Sequence, residues 1–148
     1  MIEINNLTTI LIDENFLKKI AKIVLEGELS LKNKKNKTPE VSLALVGPEK
    51  IKKLNKKYLG RSRETDVLAF GQNQKFTEPF LGEIVICPKE VSKNAKRFGA
   101  SFENELARIL IHGILHLLGY DHEKKEKKER EMREKEEYYL SQIVKIKN

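Results

Sequence analysis

Apolar and polar residues recur along the chain in two different periods, which predicts a mixture of strands and helices. Residues 1–6 are expected to form a strand, and Asp13 to cap a helix that ends in the basic loop 32–39. The apolar positions of that helix recur at helical spacing and are Phe16, Ile20, Ile23, Val24 and Leu31. In the segment 40–47, EVSLALVG, apolar residues alternate with small or polar ones, as in a half-buried strand.

Two prolines mark the starts of further helices, because proline is tolerated in the first helical turn. The helix beginning at Pro48 has an apolar stripe of Ile51, Leu54 and Tyr58, and lysines on its other face. The helix beginning at Pro88 ends at Gly99, and its inward residues are expected to be Val91, Ala95 and Phe98. Between these helices, the β-branched runs TDVLAF (65–70) and LGEIVIC (81–87) predict two adjacent strands.

The next predicted helix, capped by Ser101 and spanning residues 102–118, is apolar around almost its whole circumference. We therefore expect it to pass through the middle of the domain. The charged tail 123–137 predicts a last helix with a solvated surface, supported by Glu-to-Lys/Arg pairs four residues apart. Together these elements predict an α+β class: one domain over residues 1–148, with about four strands in a small mixed sheet packed with helices.

Positive charge is concentrated in one part of the sequence. The chain carries a net +7, and residues 32–63 alone hold eleven Lys/Arg against two Glu, a local +9. The tail 123–137 holds seven of each sign and cancels. Such a segment is compatible with a solvated surface and also with binding of a polyanion such as a nucleic acid.

Several classes of protein do not fit this sequence. The N-terminal residues do not resemble a secretory signal, and the longest apolar run, 106–118, is shorter than the roughly 20 residues of a membrane span. The lone Cys87 has no partner for an internal disulfide and is expected to be a small buried residue in a reducing compartment. We therefore expect a cytoplasmic protein that does not enter a membrane.

All three histidines of the chain lie in one eleven-residue stretch, HGILHLLGYDH. His112 and His116 are one helical turn apart, so both rings can reach the same ion. Gly119 can adopt a positive φ, end the helix and return the chain, which would bring His122 to that ion from another side. Three imidazoles with an open fourth position are typical of catalytic zinc, although nickel, copper and iron also accept imidazole.

A metal explains these histidines better than the alternative, in which they are core residues. Leucine and isoleucine cannot satisfy three buried rings, whereas a metal satisfies one nitrogen of each. The spacing also matches the metal helix of metzincin peptidases, except that Gly113 replaces the glutamate that serves those enzymes as general base. Peptide hydrolysis by that mechanism is therefore disfavoured.

These motifs resemble the YbeY family of rRNA maturation endoribonucleases. HGILHLLGYDH is similar to that family's metal motif, and TDVLAF and LGEIVIC resemble its two central strands, so the likeness spans roughly residues 40–123. The resemblance implies a zincin-like fold with a central metal-binding helix, and zinc held by His112, His116 and His122. It further implies an endoribonuclease that acts in the maturation and quality control of small-subunit ribosomal RNA. Its expected partners are that RNA and the small ribosomal subunit.

One position departs from the family. The family carries an arginine directly after the tyrosine that Tyr58 matches, and here that residue is Leu59. Arg61 or Arg63 could supply the guanidinium instead, and we take Arg61 as the candidate. Asp66 matches the family's Thr-Asp pair and is the second catalytic candidate, although it could simply cap a strand.

The residues allow more than one chemistry. Zinc bound by three imidazoles lowers the pKa of a water molecule towards about 7, but attack by the neighbouring 2′-hydroxyl of RNA fits equally well. Asp121, Glu83 and Asp66 are candidates for a general base, and Asp121 could instead orient a ligand histidine. The alternatives are a metal-dependent peptidase and a non-enzymatic ribosome-assembly factor with a structural zinc.

Overall fold

The computed structural model of the chain describes residues 2–29, 39–61, 65–71, 80–120 and 126–147. Its strands are β1 (Ile2–Asn6), β2 (Glu40–Leu45), β3 (Val67–Gly71) and β4 (Phe80–Ile86). Its helices are α1 (Glu14–Leu29), α2 (Pro48–Leu59), α3 (Pro88–Phe98), α4 (Phe102–Leu117) and α5 (Glu126–Lys147). Each element lies on a segment for which the residue pattern predicted that type, which confirms the α+β class.

The predicted helix starts are confirmed by their capping contacts. The Asp13 carboxylate accepts the backbone N–H of Phe16 at 3.1 Å, and the Ser101 hydroxyl accepts that of Asn104 at 3.1 Å. Such caps satisfy backbone donors that the helix itself leaves without partners. Leu31 and the basic loop up to residue 38 lie outside the described residues.

The four strands form one mixed sheet in the order β1-β2-β4-β3. β1, β2 and β4 are parallel neighbours, and α1 forms the crossover from β1 to β2. β3 pairs antiparallel with β4, as expected for adjacent runs, and its register places Phe70 opposite Glu83. β3 is therefore an edge strand of this sheet.

Helices cover both faces of the sheet, because side chains of each strand alternate between the two faces. On one face Leu43 and Ile84 join the large core formed with α1, α4 and α5. On the other face Leu68 and Val85 join a smaller core that includes Ile51 of α2. α4 contacts α1, α3, α5, β3 and β4, which confirms the prediction of a central helix. Cys87 is fully buried, as predicted.

The last helix differs from its prediction as a purely solvated element. α5 buries one stripe consisting of Met132, Glu136, Tyr139 and Ile143, which recur at helical spacing and pack towards α4 and α1. The sequence pattern did not reveal this stripe, because Met132 is the one apolar residue within the charged run 123–137. Glu129 and Arg133 form one of the predicted pairs, at 3.7 Å.

Two aromatic residues predicted to face the core are exposed instead. Phe98 is 64% exposed because it is the last residue of α3, where the chain leaves the core. Tyr58 is 56% exposed although it shares a helical stripe with the buried Ile51 and Asn55. The stripe of α2 therefore extends beyond the part of the helix that the sheet covers. Among the described residues, no helix is both long and apolar enough to cross a membrane.

Candidate active site

Four polar side chains form a stripe along α4, whose other buried residues are all apolar or glycine. Glu105, Arg108, His112 and His116 recur at intervals of three or four residues on one side of the helix, and all of them except Glu105 are at least partly exposed. At a rise of about 1.5 Å per residue, the two histidines lie about 6 Å apart along the helix axis. The predicted arrangement of His112 and His116 on one face is thus confirmed.

The two histidines are less buried than the sequence suggested. The His112 side chain is 24% exposed, and His116 is exposed. The expectation of buried imidazoles was wrong, because the apolar residues of α4 surround most of the helix but leave the side that carries Arg108, His112 and His116 partly open to solvent. A surface-accessible histidine pair suits a site that must admit a large substrate.

His112 is held by a carboxylate that sequence reasoning missed. Its Nδ1 lies 2.5 Å from Oε1 of Glu136, a residue of α5 that is only 9% exposed. When Nδ1–H donates to this carboxylate, Nε2 carries the lone pair that binds a metal. The sequence held one signal for Glu136: it lies four residues after Met132 and three before Tyr139, on the buried stripe of α5.

Arg108 lies one turn before His112 and is bound in a charged cluster. Its Nε and Nη2 donate to the two carboxylate oxygens of Glu105, at 2.9 and 2.7 Å. This bidentate bond raises the pKa of Arg108 above its usual value despite burial, and the charges of Glu136 and Asp66 act in the same direction. Arg108 is thus bonded to one carboxylate and feels the charge of two others.

Asp66, a predicted catalytic residue, lies just before β3. Its carboxylate accepts a hydrogen bond from the Asn94 side chain of α3 at 3.1 Å, and its carbonyl accepts the Cys87 backbone N–H at 2.9 Å. These contacts tie the start of β3 to α3, which fits a structural role. A catalytic role for Asp66 stays a prediction.

Arg61, the other catalytic candidate, follows the end of α2. Gly60 adopts a positive φ of 70° there, and the backbone N–H of Arg61 donates to the Asn55 carbonyl at 3.3 Å. The Arg61 side chain is exposed. Its role stays a prediction, and the alternative Arg63 lies outside the described residues.

The segment leading to the third histidine is anchored at its start. Gly119 has the predicted positive φ, at 101°, and the next residue, Tyr120, donates its hydroxyl to Glu28 of α1 at 2.7 Å. Asp121 and His122 lie outside the described residues, and within the described ranges no three His, Cys, Asp or Glu side chains form a metal-binding group. The ligand role of His122 therefore stays a prediction.

Glu28 also receives bonds from the hydroxyl of Tyr139 and from Lys135 Nζ, the latter at 3.2 Å. Burial alone would raise the pKa of Glu28, but these hydrogen bonds together lower it. Burial and the bond to Glu28 raise the pKa of Tyr120 to about 12. An ionised Glu28 thus joins α1, α5 and the residue that precedes Asp121.

Two glycines let the sheet approach α4 closely. A Cβ on Gly113 would lie 3.1 Å from Ile84 Cδ1, so position 113 faces the sheet and not the polar stripe. A Cβ on Gly82 would lie 2.5 Å from the Phe70 carbonyl oxygen and 2.8 Å from Leu117 Cδ2. The turn of α4 that carries His116 therefore lies beside the Phe70 end of β3.

The residues present fit a divalent metal. A ring that gives one N–H to a buried carboxylate is the arrangement that metal-binding histidines usually show. Glu83, proposed as a general base, lies opposite Phe70 on the α2 side of the sheet. It is on the wrong face to act at the histidines.

Known proteins are similar to this chain in sequence and in fold. A family model described as Endoribonuclease YbeY matches residues 3–144. A relative of that name from Thermodesulfovibrio yellowstonii is 47% identical over 105 residues, covering 70% of this chain and 66% of its own length. Another relative of that name, from Thermotoga maritima, is 41% identical over 128 residues, covering 80% of this chain and 83% of its own length.

A third relative named Endoribonuclease YbeY, from Sulfurovum, is 40% identical and covers 97% of this chain and 90% of its own. The solution structure of a Thermotoga maritima protein superposes with a TM-score of 0.66 at 36% identity, covering 97% of this chain and 89% of that one. Agreement in sequence over almost the whole chain, with the same arrangement of helices and strands, confirms that the chain belongs to the YbeY family of endoribonucleases.

Proposed function

We propose that this chain is a zinc-dependent endoribonuclease that acts in the maturation and quality control of small-subunit ribosomal RNA in the cytoplasm. As a member of the YbeY family the chain is an endoribonuclease, so RNA is its substrate class. The proposal adds the metal, the kind of RNA and the small ribosomal subunit as partner. The observation that carries it is the histidine pair on α4 with the His112 ring fixed by Glu136.

His112, His116 and His122 would hold the metal. Held by three neutral imidazoles, zinc would supply Lewis-acid chemistry for a water molecule and for a phosphate oxygen. Glu136 keeps the His112 ring in one tautomer and orientation through the bond to Nδ1. Glu28 keeps Tyr120, two residues before His122, against α1.

Positive charge for the RNA comes from α2. Its exposed surface carries Lys52, Lys53, Lys56 and Lys57, and Arg61 follows at its end. Contacts between lysines and phosphates supply affinity that depends strongly on salt and little on sequence. α2 and α4 lie on opposite faces of the sheet, and we propose that RNA bound to both passes the edge strand β3.

The chain lacks the general base that the peptidase alternative requires, and the packing of α4 explains why. Gly113 replaces the glutamate general base, and its Cα faces Ile84, where even a Cβ requires the neighbour to shift. A side chain at this position would start towards Ile84 of β4 and not along the histidine stripe. The structure thus gives no support to that mechanism.

Cleavage of a small-subunit rRNA fragment tests the proposal. We expect cleavage by zinc-loaded protein, a loss of at least a hundredfold after removal of the metal by a chelator, and recovery when zinc is returned. Variant His116→Ala should stay inactive with zinc present, whereas Lys127→Ala, an exposed change on α5, should match the wild type. Equal cleavage by metal-free protein or by His116→Ala would refute the proposal.

A further inference from the structure

Tyr58 is an exposed aromatic residue at the end of a basic helix. It stands on the same stripe of α2 as the buried Ile51, but 56% of its surface is open to solvent. One side of its ring contacts Phe70 of β3, with the ring centroids 5.1 Å apart at an angle of 59°. Phe70 packs against the smaller core, so it gives Tyr58 a fixed support.

One cation lies over the Tyr58 ring, and two more are close to Tyr58 in the sequence. Lys57 Nζ lies 5.2 Å from the centroid of Tyr58, and Lys56 and Arg61 are exposed within three residues of it. Glu83, the cross-strand neighbour of Phe70, is an exposed carboxylate on the same side. A carboxylate repels phosphate but accepts hydrogen bonds from the amino groups of bases.

The ring pair lies close to the candidate active site along the sheet. Gly113 of α4 packs on Ile84 of β4, and Leu117 packs beside Gly82, whose position meets the Phe70 carbonyl. Phe70 is thus level with the helical turn that carries His116, although its side chain points to the opposite face. Among the described residues, the edge strand β3 lies between the two on this side of the sheet.

We infer that Tyr58 and Phe70 form a stacking platform for a base of single-stranded RNA that crosses the edge strand to the histidines. The base would stack on the Tyr58 ring with its polar edge towards Glu83, and its phosphates would lie towards Lys56, Lys57 and Arg61. Aromatic residues beside basic ones are the usual way in which proteins bind unpaired bases. This inference rests on the proposed function, since it names the form of RNA that reaches the active site.

A second tyrosine provides a matched control. Tyr138 of α5 is 57% exposed, and its ring centroid lies 5.1 Å from that of Tyr139. Its surroundings differ in charge, however, because two carboxylates, Glu131 and Glu134, and one cation, Lys135, line the same cleft. The two tyrosines therefore match in exposure and ring contact and differ in charge.

Tryptophan fluorescence gives a direct test, since the chain contains no tryptophan. Variant Tyr58→Trp would carry a single reporter at the platform, and Tyr138→Trp one at the control position. Both are titrated with a single-stranded RNA oligonucleotide in the presence of a chelator, so that the RNA stays intact. We expect saturable quenching in Tyr58→Trp and little change in Tyr138→Trp.

Affinities measured on the same oligonucleotide complete the test. Tyr58→Ala should weaken binding about tenfold, while Tyr58→Phe, which keeps the ring, and Tyr138→Ala should bind like the wild type. Duplex RNA should bind Tyr58→Ala and wild type equally, because its bases are stacked within the helix. Unchanged emission of Tyr58→Trp at saturating RNA, or equal losses in Tyr58→Ala and Tyr58→Phe, would overturn the inference.

These outcomes are separable from failure of the proposed function. The binding tests need neither zinc nor ribosomal RNA, so a platform can be present in a protein that shows no zinc-dependent cleavage. Conversely, zinc-dependent cleavage with normal single-strand binding by Tyr58→Ala would leave the proposed function intact and remove the platform.

Discussion

At the scale of single residues, the two described histidines differ in how firmly they are held. His112 is largely covered and bonded through Nδ1 to Glu136, whereas His116 is exposed. The orientation of the His112 ring therefore depends on a carboxylate from a different helix. Glu136 acts through His112 and is a positioning residue.

Substituting Glu136 should weaken the metal site without removing a ligand. We predict that Glu136→Ala lowers zinc affinity about 10- to 100-fold, as loss of such partners usually does. Glu136→Gln should lose less, because its amide oxygen can still accept from Nδ1–H. Competition with a chromophoric chelator measures this independently of cleavage. Glu137→Ala, an exposed neighbouring carboxylate, is the control, and equal affinities in all variants would remove the role of Glu136.

Arg61 belongs to the same scale because its predicted role is chemical. We predict that Arg61→Ala slows single-turnover cleavage of an rRNA fragment about a hundredfold while zinc content and RNA affinity stay nearly unchanged. Five exposed lysines on α2 maintain the affinity. Arg63→Ala is the comparison, and near-normal rates in both variants would show that no guanidinium from this segment takes part.

At the scale of elements, sequence patterns succeeded wherever a local rule decides the structure. Caps such as Ser101 and helix ends such as Gly99 depend on a few neighbouring residues, so they could be predicted. The exposure of Tyr58 and the buried stripe of α5 could not, because they depend on where a neighbouring element ends or packs. Which element packs against α2 or α5 is decided by the tertiary structure and not by the local sequence.

The packing of α4 on β4 gives a prediction at this scale. Gly82 has φ 154°, and an added Cβ would meet the Phe70 carbonyl at 2.5 Å. Gly82→Ala should therefore lower the free energy of unfolding by about 2 kcal/mol or more. Gly60→Ala, also at positive φ but with open space around it, should lose only about 1 kcal/mol. Urea unfolding compares them, and equal losses would contradict the close approach.

At the scale of the whole molecule, Glu28 connects parts of the chain that are distant in sequence. It receives hydrogen bonds from Tyr120 after α4 and from Lys135 and Tyr139 of α5. The net effect of these bonds lowers its pKa, so their contribution to stability is present above the ordinary value of 4.5 and is lost as pH falls through the lowered value.

At alkaline pH, ionisation of Tyr120 ends the stabilisation that its bond to Glu28 provides. The pKa of Tyr120 is raised to about 12, so its contribution is complete below pH 10 and is lost as pH rises towards 12. We predict that Glu28→Gln is less stable than wild type by about 1 to 3 kcal/mol between pH 6 and 9. The difference should shrink as pH falls from 6 through the lowered pKa of Glu28, where the carboxylate takes up a proton. A constant difference across that range in thermal unfolding would contradict the charged role of Glu28.

The candidate site was predictable only in part. The spacing of His112 and His116 fixes their common face through helix geometry alone. Glu136 and Arg108 were missed, because their contribution arises from packing of α5 on α4 and from charges brought together from different elements. Family membership explains what the assembled site is for, but the ligand set stays a prediction.

Metal content tests the central claim most directly. Elemental analysis of purified protein should find about one zinc per chain in the wild type and in the control Tyr138→Ala. His112→Ala, His116→Ala and His122→Ala should each lose most of this metal. Full retention of zinc by all three histidine variants would contradict the account.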